Sequence, residues 1–251
     1  MEKKEIHNHY STVKKKWNHY FWDFFMLFLA VTAGFLAENI RETSSENHKE
    51  KEYMRSFCRD LENDTSNFNS TLLSLRQKIP YYDSVGEFLH SPLDFDNKLS
   101  FSIYIKTNSD LTFTPIEPTF QQLKNSGNLR LIQNNLVLDS IQIYEGDISG
   151  GYLEQTSYVI EFNKRLLQLQ EKNFDYTNLN KFLNARFSNT PINDYSLYNL
   201  VLTTNDSARI QELYNLFIGT KAAEIFYISS LTKMRSKAAN LMAFIKKQYK
   251  L

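Results

Sequence analysis

The sequence holds one cysteine, Cys58, in 251 residues. One thiol excludes an internal disulfide and any zinc cluster built on cysteines. The chain also lacks an HExxH pair, and its serines, histidines and aspartates are scattered rather than grouped as a nucleophile with its base. Of the five histidines, His7 and His9 are two apart and share no helix face. His48 lies in a solvated charge run with Glu46, Glu50 and Glu52. No catalytic residue, cofactor or metal site is expected, and the chain reads as a non-enzyme. An excess of one charge is missing too: the formal net charge is +1 and the pI about 7.7, without the basic surplus of a nucleic-acid binder. No nucleic-acid partner is expected.

There is one long apolar run, in "FWDFFMLFLAVTAGFLAENIRE", Phe21 to Glu42. Its uncharged core, Phe24 to Ala37, is 14 residues, short of the roughly 20 that cross ~30 Å of hydrocarbon. Extended from Tyr20 to Asn39 it reaches 20 residues. At ~1.5 Å per residue Asp23 and Glu38 then lie about 10 and 13 Å from the midpoint, within reach of the headgroups. Phe24, Phe25, Leu27, Phe28, Leu29, Val31, Phe35 and Leu36 contribute roughly −2 to −5 kcal/mol to insertion, and Trp17, Tyr20 and Trp22 form an aromatic belt on one side. A membrane span over 20–39 is the reading. A cleaved export signal is the competing outline, opposed by bulky Phe35 where cleavage needs a small residue; a buried core helix is the third. Lys14, Lys15 and Lys16 precede the span, whereas the eight residues after Asn39 carry only Arg41. By the positive-inside rule, residues 1–19 form a cytoplasmic tail and 40–251 an extracytoplasmic domain.

Small residues line one stripe of the span. Ala30 and Gly34, and Ala33 and Ala37, are spaced four apart, and small-xxx-small pairs let two helix backbones approach in lipid. Asp23, seven residues before Ala30, falls about 20° from it around the helix. Asp23, Ala30, Ala33, Gly34 and Ala37 are therefore the candidate helix–helix contact, with the lipid bilayer as surroundings and a protein partner or a second copy as the other helix.

Beyond the span, Met54, Cys58, Leu61, Thr65, Phe68, Leu72, Leu75 and Ile79 alternate in steps of four and three, a seam that packs inside its own domain or against another chain as a coiled coil. Its helix continues from the membrane, since 38–53 hold no Gly or Pro, and should stop before Pro80. Short helices and loops are expected over 80–117. Thr119 with Gln122 reads as a capping box, and Gly127 as a left-handed helix end. A short turn over Leu129–Ile132 precedes a helix that starts after Asn134-Asn135 and kinks or breaks at Ser149-Gly150-Gly151. A loop-rich stretch to Asn205, with a short helix over Tyr195–Leu202, leads to a last helix from Ser207 to Tyr249. The expected fold is all-α: an N-terminal transmembrane helix followed by an antiparallel helical bundle with long helices.

The segments "FMLFLAVTAGFLAENIRE", "HKEKEYMRSFCRDLENDT" and "TFQQLKNSGNLRLI", in this order, resemble a family of bacterial proteins with one N-terminal span and a helical extramembrane region. The likeness is strongest over 22–65 and 118–133. It implies the same architecture in a bacterial inner membrane with the domain in the periplasm, and carries no activity with it. Two functions follow as expectations: a membrane-anchored structural or interaction protein that binds a partner through span and domain, or a ligand-sensing domain acting through a partner. An exposed apolar patch would favour the first, an apolar pocket with convergent polar groups the second, and clustered acids with raised pKa an enzyme.

Overall fold

The computed structural model describes residues 13–90, 103–104, 106–109, 111–188 and 200–251. The chain divides into two units, Met1–Tyr53 and Met54–Leu251. The protein is nearly all-α with long helices, and one helix near the N-terminus is long and apolar enough to cross a membrane.

Helix α1 runs from Val13 to Asp83 and contains Pro80, so it passes the expected stop. Proline in the last turn removes a single backbone donor near an end where the ladder is already closing. The residues after it are held by tertiary contacts: Tyr82 is fully buried, and Lys221 pairs with Asp83. Helix α2, Val85–His90, follows after one residue. Within the second unit the α1 seam is buried through Met54, Cys58, Leu61, Phe68, Leu72 and Leu75. Thr65 turns its hydroxyl to the Leu61 carbonyl at 2.8 Å, which satisfies a polar group at a seam position. The seam thus packs inside its own unit.

Helix α3 spans Pro118–Asn125 and starts differently from the expected capping box. Pro118 occupies the first turn with its φ already helical, and Glu117 is the N-cap without a side-chain cap bond. Thr119 is buried, and its N–H goes to Asp60 Oδ2 at 3.1 Å. Gly127 does adopt the left-handed conformation, φ 68°, and leads into a 3-10 turn over Asn128–Leu131. Asn134 caps helix α4, Asn135–Asp147, by accepting from Val137 N–H. At the expected kink or break the helix takes a π-helical turn over Ile148–Tyr152: it widens there without stopping, and helix α5 continues over Leu153–Asn173.

Two further differences come after α5. Phe174–Asp175 (β1) pairs antiparallel with Val201–Leu202 (β2), so the end of the expected Tyr195–Leu202 helix is a strand; 195–199 lie outside the described residues. The stretch read as loop contains helix α6, Thr177–Phe187. Helix α7, Ser207–Tyr249, matches its expected bounds and is capped by Asp206, which accepts from Ala208 N–H. It packs most extensively on α5, then on α4 and α2. It also runs antiparallel to α1, because Asn69, Lys78 and Asp83 meet Arg235, Glu224 and Lys221 in turn. An apolar cluster around Tyr82, Phe88, Leu166, Phe174, Leu213 and Phe217 forms one end of the core.

Candidate functional site

The span residues are found on the surface of α1. No part of the apolar window is buried within the chain, and Phe35 is 74% exposed. Asp23, Ala30, Ala33, Gly34 and Ala37 are all exposed, and a Cβ added at Gly34 would meet nothing within 4 Å. At about 100° per residue these five positions fall within an arc of about 100°, so the small-residue stripe is one open strip with an acid at its start.

Two neighbours of that strip were not singled out in the sequence. His19 Nε2 lies 3.8 Å from Asp23 Oδ2, and Arg41 Nε donates to Glu38 Oε2 at 2.9 Å. Both edge acids of the span thus have a basic partner one turn away. The signal was legible in the spacings, four residues for His19/Asp23 and three for Glu38/Arg41.

In the second unit the functional groups gather around residues 111–117, which form neither helix nor strand. Lys78 Nζ donates to Ser109 O at 3.0 Å, Ile116 N–H to Asp64 Oδ1 at 2.8 Å, and Thr119 N–H to Asp60 Oδ2. As the residue number along the segment rises, its partners on α1 fall from 78 to 60, so it lies antiparallel along that helix. At its centre Phe113 donates its N–H to Tyr227 Oη at 3.0 Å and accepts at its carbonyl from Tyr152 Oη. The two phenol oxygens are 2.7 Å apart, and the Phe113 ring stacks on Phe68 with centroids 3.7 Å apart. Phe113 is the buried residue of this segment; a buried residue outside any ladder must find other partners for its backbone groups, and here side chains supply them.

Charge is concentrated at two points beside this segment. The Lys78 ammonium and the Glu224 carboxylate, 1% and 0% exposed, pair in the core, and Tyr82 Oη donates to the same Glu224 oxygen at 3.0 Å. Farther along, Asp64 and Glu145 are both buried. Burial raises the Asp64 carboxyl to about 6, opposed by the hydrogen bonds from Ile116 and Tyr144. Burial raises Glu145 to about 8, and the neighbouring charges of Glu117, Asp64 and Asp60 add to it, with Lys124 opposing. Burial also pushes the Tyr144 and Tyr152 phenols and the Cys58 thiol above their usual ranges. The two phenols and the thiol hold their protons at neutral pH, so they act as hydrogen-bond donors or packing groups rather than nucleophiles. Among the described residues no three His, Cys, Asp or Glu side chains converge to hold a metal ion.

Sequence reading missed Lys78, Glu224, Tyr152 and Tyr227. The available signal was a charged residue at apolar spacing in each long helix, Lys78 between Leu75 and Tyr82 and Glu224 between Phe217 and Leu231.

In comparisons with family models, with curated proteins and with solved structures, nothing matches this chain.

Proposed function

We propose that this is a membrane-anchored interaction protein of a bacterial inner membrane. Residues 20–39 are the span, 1–19 a cytoplasmic tail, and 40–251 a periplasmic domain built as an antiparallel helical bundle. It binds a protein partner or a second copy, and it is not an enzyme. One observation carries the reading: an apolar helical segment of membrane length has none of its side chains buried against the rest of the chain. Water would leave that surface unfavourable by ~25 cal/mol per Å², so its natural surroundings are lipid or another helix. Acids with raised pKa also occur, which is the mark of an enzyme in some sites. Here Asp64 already uses both oxygens, for Ile116 N–H and Tyr144 Oη, which supports a structural role for it.

The reading is tested by membrane extraction and thiol labelling. The chain should stay with the bilayer through alkaline extraction. An impermeant maleimide applied to spheroplasts should label Cys at exposed Ser149 but not Cys at Asn8, against a low background because native Cys58 is buried. Release at alkaline pH removes the span; labelling of Asn8→Cys alone reverses the orientation.

A further inference from the structure

A second surface in the Met54–Leu251 unit is shaped for a helix. Helices α4 and α7 flank a groove of about 320 Å³, lined mainly by apolar atoms, with Ile143, Leu241 and Phe244 among its walls. Lys237 and Asp147, both in its lining, pair with each other, and beyond the lining residues Asn134 Nδ2 donates to Gln248 Oε1 at 3.4 Å. The lining covers about 10 Å of each helix, Ser140 to Asp147 and Lys237 to Phe244, and the paired stretch of the two helices out to Asn134 and Gln248 is about 20 Å, or between three and four turns. Leu136 and Ile143, two turns apart on one face of α4, are 68% and 66% exposed. On the α7 side Phe244 is part-exposed and Leu241 forms the buried floor; open apolar side chains along a groove are a usual form of a helix-docking surface.

Charge says which helix fits. After Glu224 the sequence has no further acid, and Lys233, Arg235, Lys237, Lys246 and Lys247 all lie in this last part of α7, with Lys250 as its C-cap. Arg235 and Lys237 are engaged by Asn69 and Asp147. Lys233 and Lys247 are exposed and have no carboxylate partner among the described residues. Lys233 lies four residues before Lys237 and Lys247 three after Phe244, so both fall on the α7 edge of the groove, one toward each end. The α4 edge instead carries exposed Asp139 between Leu136 and Ile143.

We propose that this groove docks an amphipathic helix of a partner protein, about three to four turns long, whose apolar stripe faces Ile143 and Phe244 and whose carboxylates face Lys233 and Lys247. Asp139 repels those carboxylates if the helix lies the other way round, so the two edges select its orientation. The inference rests on the reading of the chain as an interaction protein and names the chemistry of its partner.

The test uses the full chain in lipid nanodiscs and three synthetic helical peptides of four turns: one with a leucine stripe and glutamates on one flank, a twin with lysine for each glutamate, and one with the same composition and the stripe scrambled. Fluorescence anisotropy should show the glutamate peptide binding at least tenfold more tightly than either control. Ile143→Asp, an exposed position whose variant should keep the helical circular dichroism of the parent, should lose at least tenfold, and Lys233→Glu with Lys247→Glu should switch the preference to the lysine twin. Equal binding of all three peptides, or a glutamate-peptide affinity untouched by Ile143→Asp and by the charge reversal, overturns the proposal. A disulfide between two chains carrying Ser140→Cys would place a second copy on the groove and overturn it as well. Retention of the chain in the nanodisc is read on the same sample, so failure of the anchor and failure of the groove are separate results.

Discussion

Lys78 and Glu224, 146 residues apart in sequence, form an ion pair that is closed to solvent on both sides. The pair joins α1 to α7, and Lys78 also holds Ser109 O while Tyr82 donates to Glu224. Buried charges lose hydration, and the pair recovers that loss only while all its partners are present. Removing one partner by Lys78→Met or Glu224→Gln should therefore destabilise the chain by about 3–5 kcal/mol. The double variant Lys78→Met/Glu224→Leu should recover most of the loss. Thermal unfolding in detergent, followed by circular dichroism, measures both; additive losses in the double variant would show that the two charges do not act as a pair.

Asp64 and Glu145 make stability depend on pH in a direction opposite to that of most paired carboxylates. Their pKa values in the folded protein, about 6 and about 8, lie above the ordinary values of 3.8 and 4.5. The folded state therefore binds more protons than the unfolded state across those intervals, and stability falls as pH rises through them. The slope is at most about 1.4 kcal/mol per pH unit for each group. Melting temperature should decline from pH 5 to pH 8, with Glu145 controlling the upper part of the range. Glu145→Gln should flatten that part; an unchanged slope in this variant would remove Glu145 as the cause.

Gln170 on α5 is fully buried, and among the described residues neither its amide nitrogen nor its oxygen has a hydrogen-bond partner. An unpaired buried amide costs roughly 1–3 kcal/mol. Gln170→Met keeps the length of the side chain and removes both polar atoms, so it should stabilise by about 1–2 kcal/mol. Leu166→Ala, one turn earlier on the same buried face, should instead cost about 2–5 kcal/mol by leaving a cavity. A Gln170→Met protein less stable than the parent would mean that the amide is satisfied in solution.

Gly34 is the open centre of the small-residue strip on the span. Isoleucine there holds two backbones apart and forfeits many contacts of ~0.1–0.2 kcal/mol each, while making the segment more apolar, so insertion should survive and lateral association should drop. Leu29→Ile keeps its bulk and should be silent. Asp23→Asn separates a carboxylate that bonds a partner helix from one paired only with His19. Crosslinking yield in native membranes reads all three; equal yields throughout would show that the strip is not a contact.

The long elements were legible because their signals are local and repeat many times. Six of the eight seam positions from Met54 to Ile79 are buried, Gly127 takes the left-handed conformation, and the last helix runs from Ser207 to Tyr249, all signals that act within one or two turns and appear where spacing placed them. The open strip of the span is likewise a matter of angle around one helix. The misread points lie where a contact distant in sequence outweighs a local preference. Pro80 is carried inside α1 by buried Tyr82, and Thr119 gives up a capping role because Asp60 takes its N–H. Val201 and Leu202 become a strand because Phe174 and Asp175 offer an edge.

The amino-acid sequence by itself determined that the protein is helical, where its last long helix begins and ends, and that one helix is apolar enough to cross a membrane, since these properties depend on neighbours three or four residues away. Only the tertiary structure decided that Lys78 meets Glu224, that Asp64 and Glu145 share a buried site beside Ile116, and that α4 and α7 leave a groove between them. Each of these joins residues tens to more than a hundred positions apart, and periodicity carries no information about which faces will meet once burial and hydrogen bonding have selected a single packing.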